Sequence, residues 1–175
     1  MTKLRLLLLD TVIVIHLHEL GLWKEIISRC DVHLSRGIVS ESQYYPDENR
    51  ELHPIDMSHY ESSRQITVHD VSLSDIKHLK AQFGPVFLEK IDAGEAELLS
   101  VLYNSFEEYR ICSADAIIYR VLGALKQSGK GISLEELLKD AGITRSLNHP
   151  YTKSFREQYS QQGFQEGITG LASKS

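Results

Sequence analysis

LLLLDTVIVI, residues 6–15, carries one charge, Asp10, set between four leucines and a β-branched run. An apolar run without helical period predicts a buried strand, here over Leu4 to Leu9. From Thr11 the pattern turns helical, ends near Gly21 and Trp23, and resumes from Lys24 to Arg29. Asp10 therefore falls where a strand ends and a helix begins. Burying even a neutral polar group without a partner costs about 2–7 kcal/mol. Asp10 must cap something, bind something, or do both.

Outward from this stretch, strands and helices alternate. DVHLS (Asp31 to Ser35) reads as a second strand, and Gly37 to Tyr45 as a short helix stopped by Pro46. Asp47 to Ser63 is polar and aperiodic, a loop or an insertion. QITVHDV (Gln65 to Val71) alternates as a strand does. Ser72 and Asp75 resemble a capping box, with Ile76, Leu79 and Phe83 on one face of the helix behind it. Gly84 and Pro85 break that helix, and another starts in IDAGEAELLSVLY. YRICS (Tyr109 to Ser113) is a strand, and ADAIIYRVLGALKQ a helix ended by Gly129 and Gly131. Ser133 and Glu136 form a further capping box, opening SLEELLKDAG. This alternation predicts an α/β domain with a mainly parallel sheet over residues 1–144. A polar tail rich in Gln, Ser and Gly, residues 145–175, then packs on the domain, packs on a partner, or stays disordered.

The chain of 175 residues, 42% hydrophobic and 25% charged, is large enough for one domain with a proper core. No stretch approaches the roughly 18 apolar residues of a membrane span. Lys3 and Arg5 ahead of the leucines imitate the start of a signal peptide. Asp10, His16, His18 and Glu19 interrupt the apolar region too early for one, so a cytoplasmic protein without membrane attachment is expected. Cys30 and Cys112 lie too far apart for a metal or redox pair. His16 and His18, at i,i+2, fall on different helix faces and do not suit zinc. No phosphate-cradling glycine loop occurs. The net charge of −5 disfavours broad nucleic-acid binding, but not an enzyme that cuts nucleic acid with carboxylate-held metal.

In open α/β sheets, ligands bind outside the carboxyl ends of the strands. Asp10 and Asp115 each follow a strand there. Glu41 in GIVSESQYY and Glu95 in DAGEAELL lie on helices able to reach the same crevice. Two like charges about 4 Å apart repel by roughly 4 kcal/mol at an effective dielectric near 20, so such a group calls for a cation. All-oxygen ligands select Mg²⁺ or Mn²⁺.

LLLLDTVIVI, GIVSESQ, DAGEAELLSVL and ICSADAIIYRVLGAL resemble, in order and spacing, the PIN-domain nucleases, best known as VapC-type toxins. The resemblance spans about Leu4 to Gly142, and GEAE is the form of the third motif in one PIN subgroup. It implies a PIN-like α/β/α sandwich and an Mg²⁺- or Mn²⁺-dependent endoribonuclease. The catalytic acids would be Asp10, Glu41, Glu95 and Asp115, with metal on Asp10, Glu95 and Asp115. Ser113 matches the family's hydroxyl two residues before the last acid. Also implied are an RNA substrate, a toxin–antitoxin role, a homodimer, and a short antitoxin-like protein that the polar tail would contact. Ala114 departs from the pattern, since many members of that subgroup carry a second acid there. Asp47 to His69 and the tail exceed a compact PIN domain. The alternative is a catalytically inactive PIN-like module that binds RNA or protein. A haloacid-dehalogenase-type phosphohydrolase needs Asp-x-Asp, where this chain has Asp10-Thr11-Val12.

Each residue also has a plainer reading. Asp10 and Asp115 cap helices. Glu41 is a solvated helix residue. Asp92-x-x-Glu95 fits a capping box, which leaves Asp92 or Glu97 to face the site. Ser113 orients Asp115 or a metal-bound water, or satisfies a turn. Arg120 contacts a phosphate or forms a surface salt bridge. His16 and His18 are ordinary helix residues. Tyr44 and Tyr45 stack on bases or pack against the sheet.

Overall fold

The computed structural model describes residues 6–170. Leu4 and Arg5 of the expected first strand, and residues 171–175 of the expected tail, lie outside them. In chain order the elements are β1 (Leu6–Leu9), α1 (Thr11–Glu19), α2 (Trp23–Arg29), β2 (Asp31–Ser35), α3 (Arg36–Glu41), β3 (Tyr44–Pro46) and β4 (Leu52–Pro54). There follow α4 (Met57–Ser62), β5 (Ile66–His69), α5 (Leu73–Lys80), α6 (Pro85–Leu88), α7 (Ala93–Asn104) and β6 (Arg110–Cys112). The last are α8 (Ala116–Ala124), β7 (Gly131–Ile132), α9 (Leu134–Asp140) and α10 (Lys153–Ile168).

Five strands form a central parallel sheet in the order β5-β2-β1-β6-β7, flanked by helices. This is the expected α/β/α architecture with a PIN-like arrangement. Leu7, Leu8 and Leu9 are fully buried, as in a strand covered on both faces. From β1 the chain moves outward through β2 and β5, then returns to β6 on the other side of β1. The topological switch point, where such sheets open a crevice, therefore lies at the carboxyl ends of β1 and β6. The boxes expected at Ser72 and Asp75, at Asp92 and Glu95, and at Ser133 and Glu136 all form.

Three local expectations change. The helix expected from Gly37 to Tyr45 ends at Glu41, and Tyr44–Pro46 turns into a strand instead. The aperiodic stretch from Asp47 is the rest of a hairpin, β3 antiparallel to β4, followed by α4. Asp47 makes the turn: its Oδ1 accepts the amides of Asn49 (2.8 Å) and Glu51 (2.9 Å). β7, only two residues long, stands where the pattern predicts the glycine-rich end of a helix. A Cβ on Gly131 would lie 3.1 Å from the Tyr119 ring, so this glycine is there for close packing.

Most of the polar tail is helix. α10 packs along α8 at backbone contact, where a Cβ on Gly163 would lie 1.9 Å from the Arg120 carbonyl oxygen. Two forks tie it down: Arg120 to Glu166 (3.1 and 2.7 Å) and Arg156 to Glu136 (2.7 and 2.9 Å). Arg120 thus makes its salt bridge buried, not at the surface. Among the described residues, no helix is long and apolar enough to cross a membrane.

Candidate functional site

The register of β1 on β6 sets Leu9 beside Cys112, and the Asp10 amide continues the ladder to the Cys112 carbonyl (3.1 Å). Asp10 and Ser113 are therefore neighbours across the switch point. The Ser113 hydroxyl donates to Asp10 Oδ2 (2.8 Å) and accepts from the Asp115 amide (2.9 Å), joining the two acids through one oxygen. Asp10 Oδ1 accepts from the Thr11 amide (2.7 Å), and Asp115 Oδ1 from the Ile117 amide (2.9 Å). Each acid thus caps the helix it opens while facing the crevice, so the two readings of each coexist. Tyr119, on α8, holds the connecting loop. Its Oη accepts from the Ser113 amide (3.2 Å) and lies 2.7 Å from the Ser113 carbonyl.

The other acids arrive from two helices. Thr11 Oγ1 donates to Glu41 Oε2 (2.7 Å), which brings the exposed end of α3 to the start of α1. A Cβ on Gly94 would lie 3.5 Å from Glu41 Oε2 and 3.6 Å from Asp92 Oδ1, so both carboxylates crowd the same glycine. Glu95 completes its capping box by accepting the Asp92 amide (2.9 Å), while Asp92 accepts the Glu95 amide (2.8 Å). Glu97 is engaged elsewhere and accepts the Gly37 amide (2.9 Å) at the start of α3.

The electrostatics are one-sided. Asp10 is 7% exposed and Glu95 4%. Burial raises the Asp10 carboxyl, bonds from Ser113 and Thr11 pull it back, and the charges of Asp92 and Asp115 add to the rise. Burial pushes Glu95 up to about 8, the Asp92 amide opposes it, and Asp115, Asp92 and Asp10 add to it. The charges acting on both carboxyls are negative. The helix N-termini offset part of this, but the remainder favours either a proton or a cation.

A second group does not stand out in the sequence. Asp47, Glu51 and His53 on the β3–β4 hairpin offer ligand atoms within 4.8 Å of one another, and these residues could hold a metal ion. His53 Nε2 lies 2.8 Å from Asp47 Oδ2, and this bond is the main reason Asp47 sits below the ordinary carboxylate range. Among the described residues only this group is so tightly spaced. The acids at the switch point do not meet this spacing. An Asp, Glu and His at i, i+4 and i+6 in a polar stretch is the signal that could have found the group. Thr11 and Tyr119 are equally inconspicuous, since neither a hydroxyl beside an acid nor a core tyrosine draws notice in a sequence. Comparison with known proteins finds no matching family model, no matching curated protein and no matching solved structure.

Proposed function

We propose that the chain is a metal-dependent endoribonuclease of PIN type, holding Mg²⁺ or Mn²⁺ at Asp10, Glu95 and Asp115. One observation carries this reading: at the sheet's switch point the charges acting on two buried carboxylates are all negative. A bound divalent ion would supply a water nucleophile and offset charge on the scissile phosphate. Ser113 keeps Asp10 and Asp115 in register, Thr11 aims Glu41 toward the same place, and Tyr119 fixes the loop that carries Ser113. Burial and the neighbouring acids favour a proton on Glu95 near neutral pH, and a bound cation would favour the ionised carboxylate instead. With the family resemblance come an RNA substrate, a homodimer and restraint by a short antitoxin-like protein.

A second reading, a PIN-like binding module without catalysis, is favoured by the capping bonds. Asp10, Asp92 and Asp115 each serve a helix start with or without a metal.

Calorimetric titration with Mn²⁺ separates the two, using the wild type, Asp115→Asn and His53→Ala. Asn retains the helix cap. The nuclease reading expects a binding event that Asp115→Asn weakens at least tenfold and His53→Ala leaves unchanged, with cleavage of single-stranded RNA lost in the first variant only. Binding that disappears only in His53→Ala would place the metal on the hairpin. The catalytic reading would then fall.

A further inference from the structure

At the end of α1 away from Asp10, four rings surround a pocket of about 240 Å³: His18, Trp23, Tyr45 and Tyr60, with Lys24 and Asp56 also lining it. His18 stacks on Trp23 (centroids 4.8 Å, planes 23° apart), Tyr60 meets Trp23 edge-on (5.8 Å), and Tyr45 tilts toward His18 (5.6 Å). The walls come from α1, α2, the β3–β4 hairpin and α4, so the hairpin and α4 complete a cage that the parallel sheet alone lacks. His18 Nδ1 is bonded to the Val14 carbonyl (2.9 Å), and burial keeps the ring from gaining a proton, so its face is that of a neutral imidazole.

We propose that this pocket holds one nucleobase of single-stranded RNA. The inference rests on the nuclease reading for its strand and deepens it by assigning a base subsite. His18 follows Asp10 by eight residues, so at 1.5 Å per residue the pocket lies about 12 Å along α1 from the acids. A strand held there spans that distance in a few nucleotides.

Three features choose a base over other occupants. The volume falls below the roughly 300–1,000 Å³ of pockets that take drug-sized ligands, which suits a single ring system. Flat aromatic faces stack on any base, because every base has a π-face. The polar residues are of mixed kind. Lys24 donates only. Asp56 Oδ1 takes the Ser58 hydroxyl (2.7 Å) and the His59 amide (3.1 Å), and among the described residues its Oδ2 has no bond, so it can accept from an exocyclic amine or ring N–H. An aromatic cage for an ammonium group would want no lysine beside it.

Trp23 is the chain's only tryptophan, so its fluorescence reports on this pocket. The test titrates AMP, GMP, CMP and UMP into the protein in the presence of a chelator, with ribose 5-phosphate and tetramethylammonium as controls. Expected is a saturable change with at least one nucleotide, equal in wild type and Asp115→Asn. It should weaken at least tenfold in Tyr60→Leu and several-fold in Lys24→Gln and Asp56→Asn. Lys24 is exposed and Asn keeps the α4 cap, so these two variants retain the fold. The proposal is overturned if no nucleotide changes the signal, if ribose 5-phosphate matches the nucleotides, if tetramethylammonium replaces them, or if all three pocket variants bind as wild type does. Nucleotide binding without RNA cleavage would remove the nuclease reading and leave the pocket. Cleavage without a fluorescence response would do the reverse.

Discussion

Glu95 and Glu136 hold the same position in the same motif, the third helical residue, which closes a capping box at a helix start. Their carboxyls are nevertheless driven in opposite directions. Burial and neighbouring acids push Glu95 up to about 8. Burial works on Glu136 too, but the Arg156 fork and the bonds from Ser133 outweigh it and hold that carboxyl down at about 2. The cap is Asp92 in one box and Ser133 in the other, and only one helix receives an arginine from α10. Local motif therefore fixes where a carboxylate points, and the charge opposite decides what it can do. The α9 site is closed by its own chain. The charges that reach the α7 carboxyl are all negative.

The largest effect should come from pulling α10 away. In Gly163→Ala the new methyl meets the Arg120 backbone, where no side chain can yield. Overpacking typically destabilises by about 1–3 kcal/mol, and contact with backbone belongs at the top of that span. Thermal melting should drop by roughly 10 °C. Next is Arg156→Met, which leaves Glu136 part-buried and unpaired. Breaking a fully buried pair costs about 3–5 kcal/mol, and partial exposure brings the expectation to about 2 kcal/mol, read by chemical denaturation. A carbon-detected titration should then show the Glu136 carboxyl rising toward that of Glu95.

The third prediction is a difference in sign with pH. Glu95 has a folded-state value above its unfolded one of 4.5. Its ionisation therefore removes stability progressively from about pH 4.5 to about pH 8. Glu136 has a depressed value, so its contribution is complete above about pH 4.5 and is lost as pH falls toward 2. Glu95→Gln should accordingly stabilise the metal-free protein by about 1–2 kcal/mol at pH 8 and do nothing at pH 4. Under the nuclease reading, millimolar Mn²⁺ should abolish that advantage. The smallest effect is expected from Thr11→Val, which removes one exposed hydrogen bond to Glu41, about 0.5 kcal/mol. Differential scanning of the pair in matched buffer would show it.

The parts legible in the sequence share a short range. An apolar run ending in Asp10, and the i,i+3 spacing of the capping boxes, write strand ends and helix starts directly into neighbouring residues. Four of the five parallel strands follow from their alternation, and β7 does not. The parts that are not legible depend on partners far along the chain. Arg120 reads as a surface residue until Glu166, 46 positions later, arrives beside it. Gly123 sits unremarked inside a predicted helix and Gly163 and Gly167 inside a polar tail, yet they are the contact surface of two helices that touch at the backbone. Asp47 and the hairpin are hidden for another reason, since a side chain bonding its own turn leaves no periodicity. At the site, the sequence offers Glu95 as either cap or ligand. The fold makes it a cap that still faces three acids, which is why spacing alone could not choose.

The order of elements along the chain has a consequence for synthesis. Asp10 and Asp115 leave the ribosome well before residues 153–168, and domains begin to fold from the N-terminal side during translation. Until α10 emerges, Arg120 lacks Glu166, Glu136 lacks Arg156, and the Gly123 face of α8 is bare. The helix that Asp115 caps is thus braced by the segment made last among those described. Bracing of α8 and α9 is a late event in the life of each molecule, set by where α10 lies in the chain.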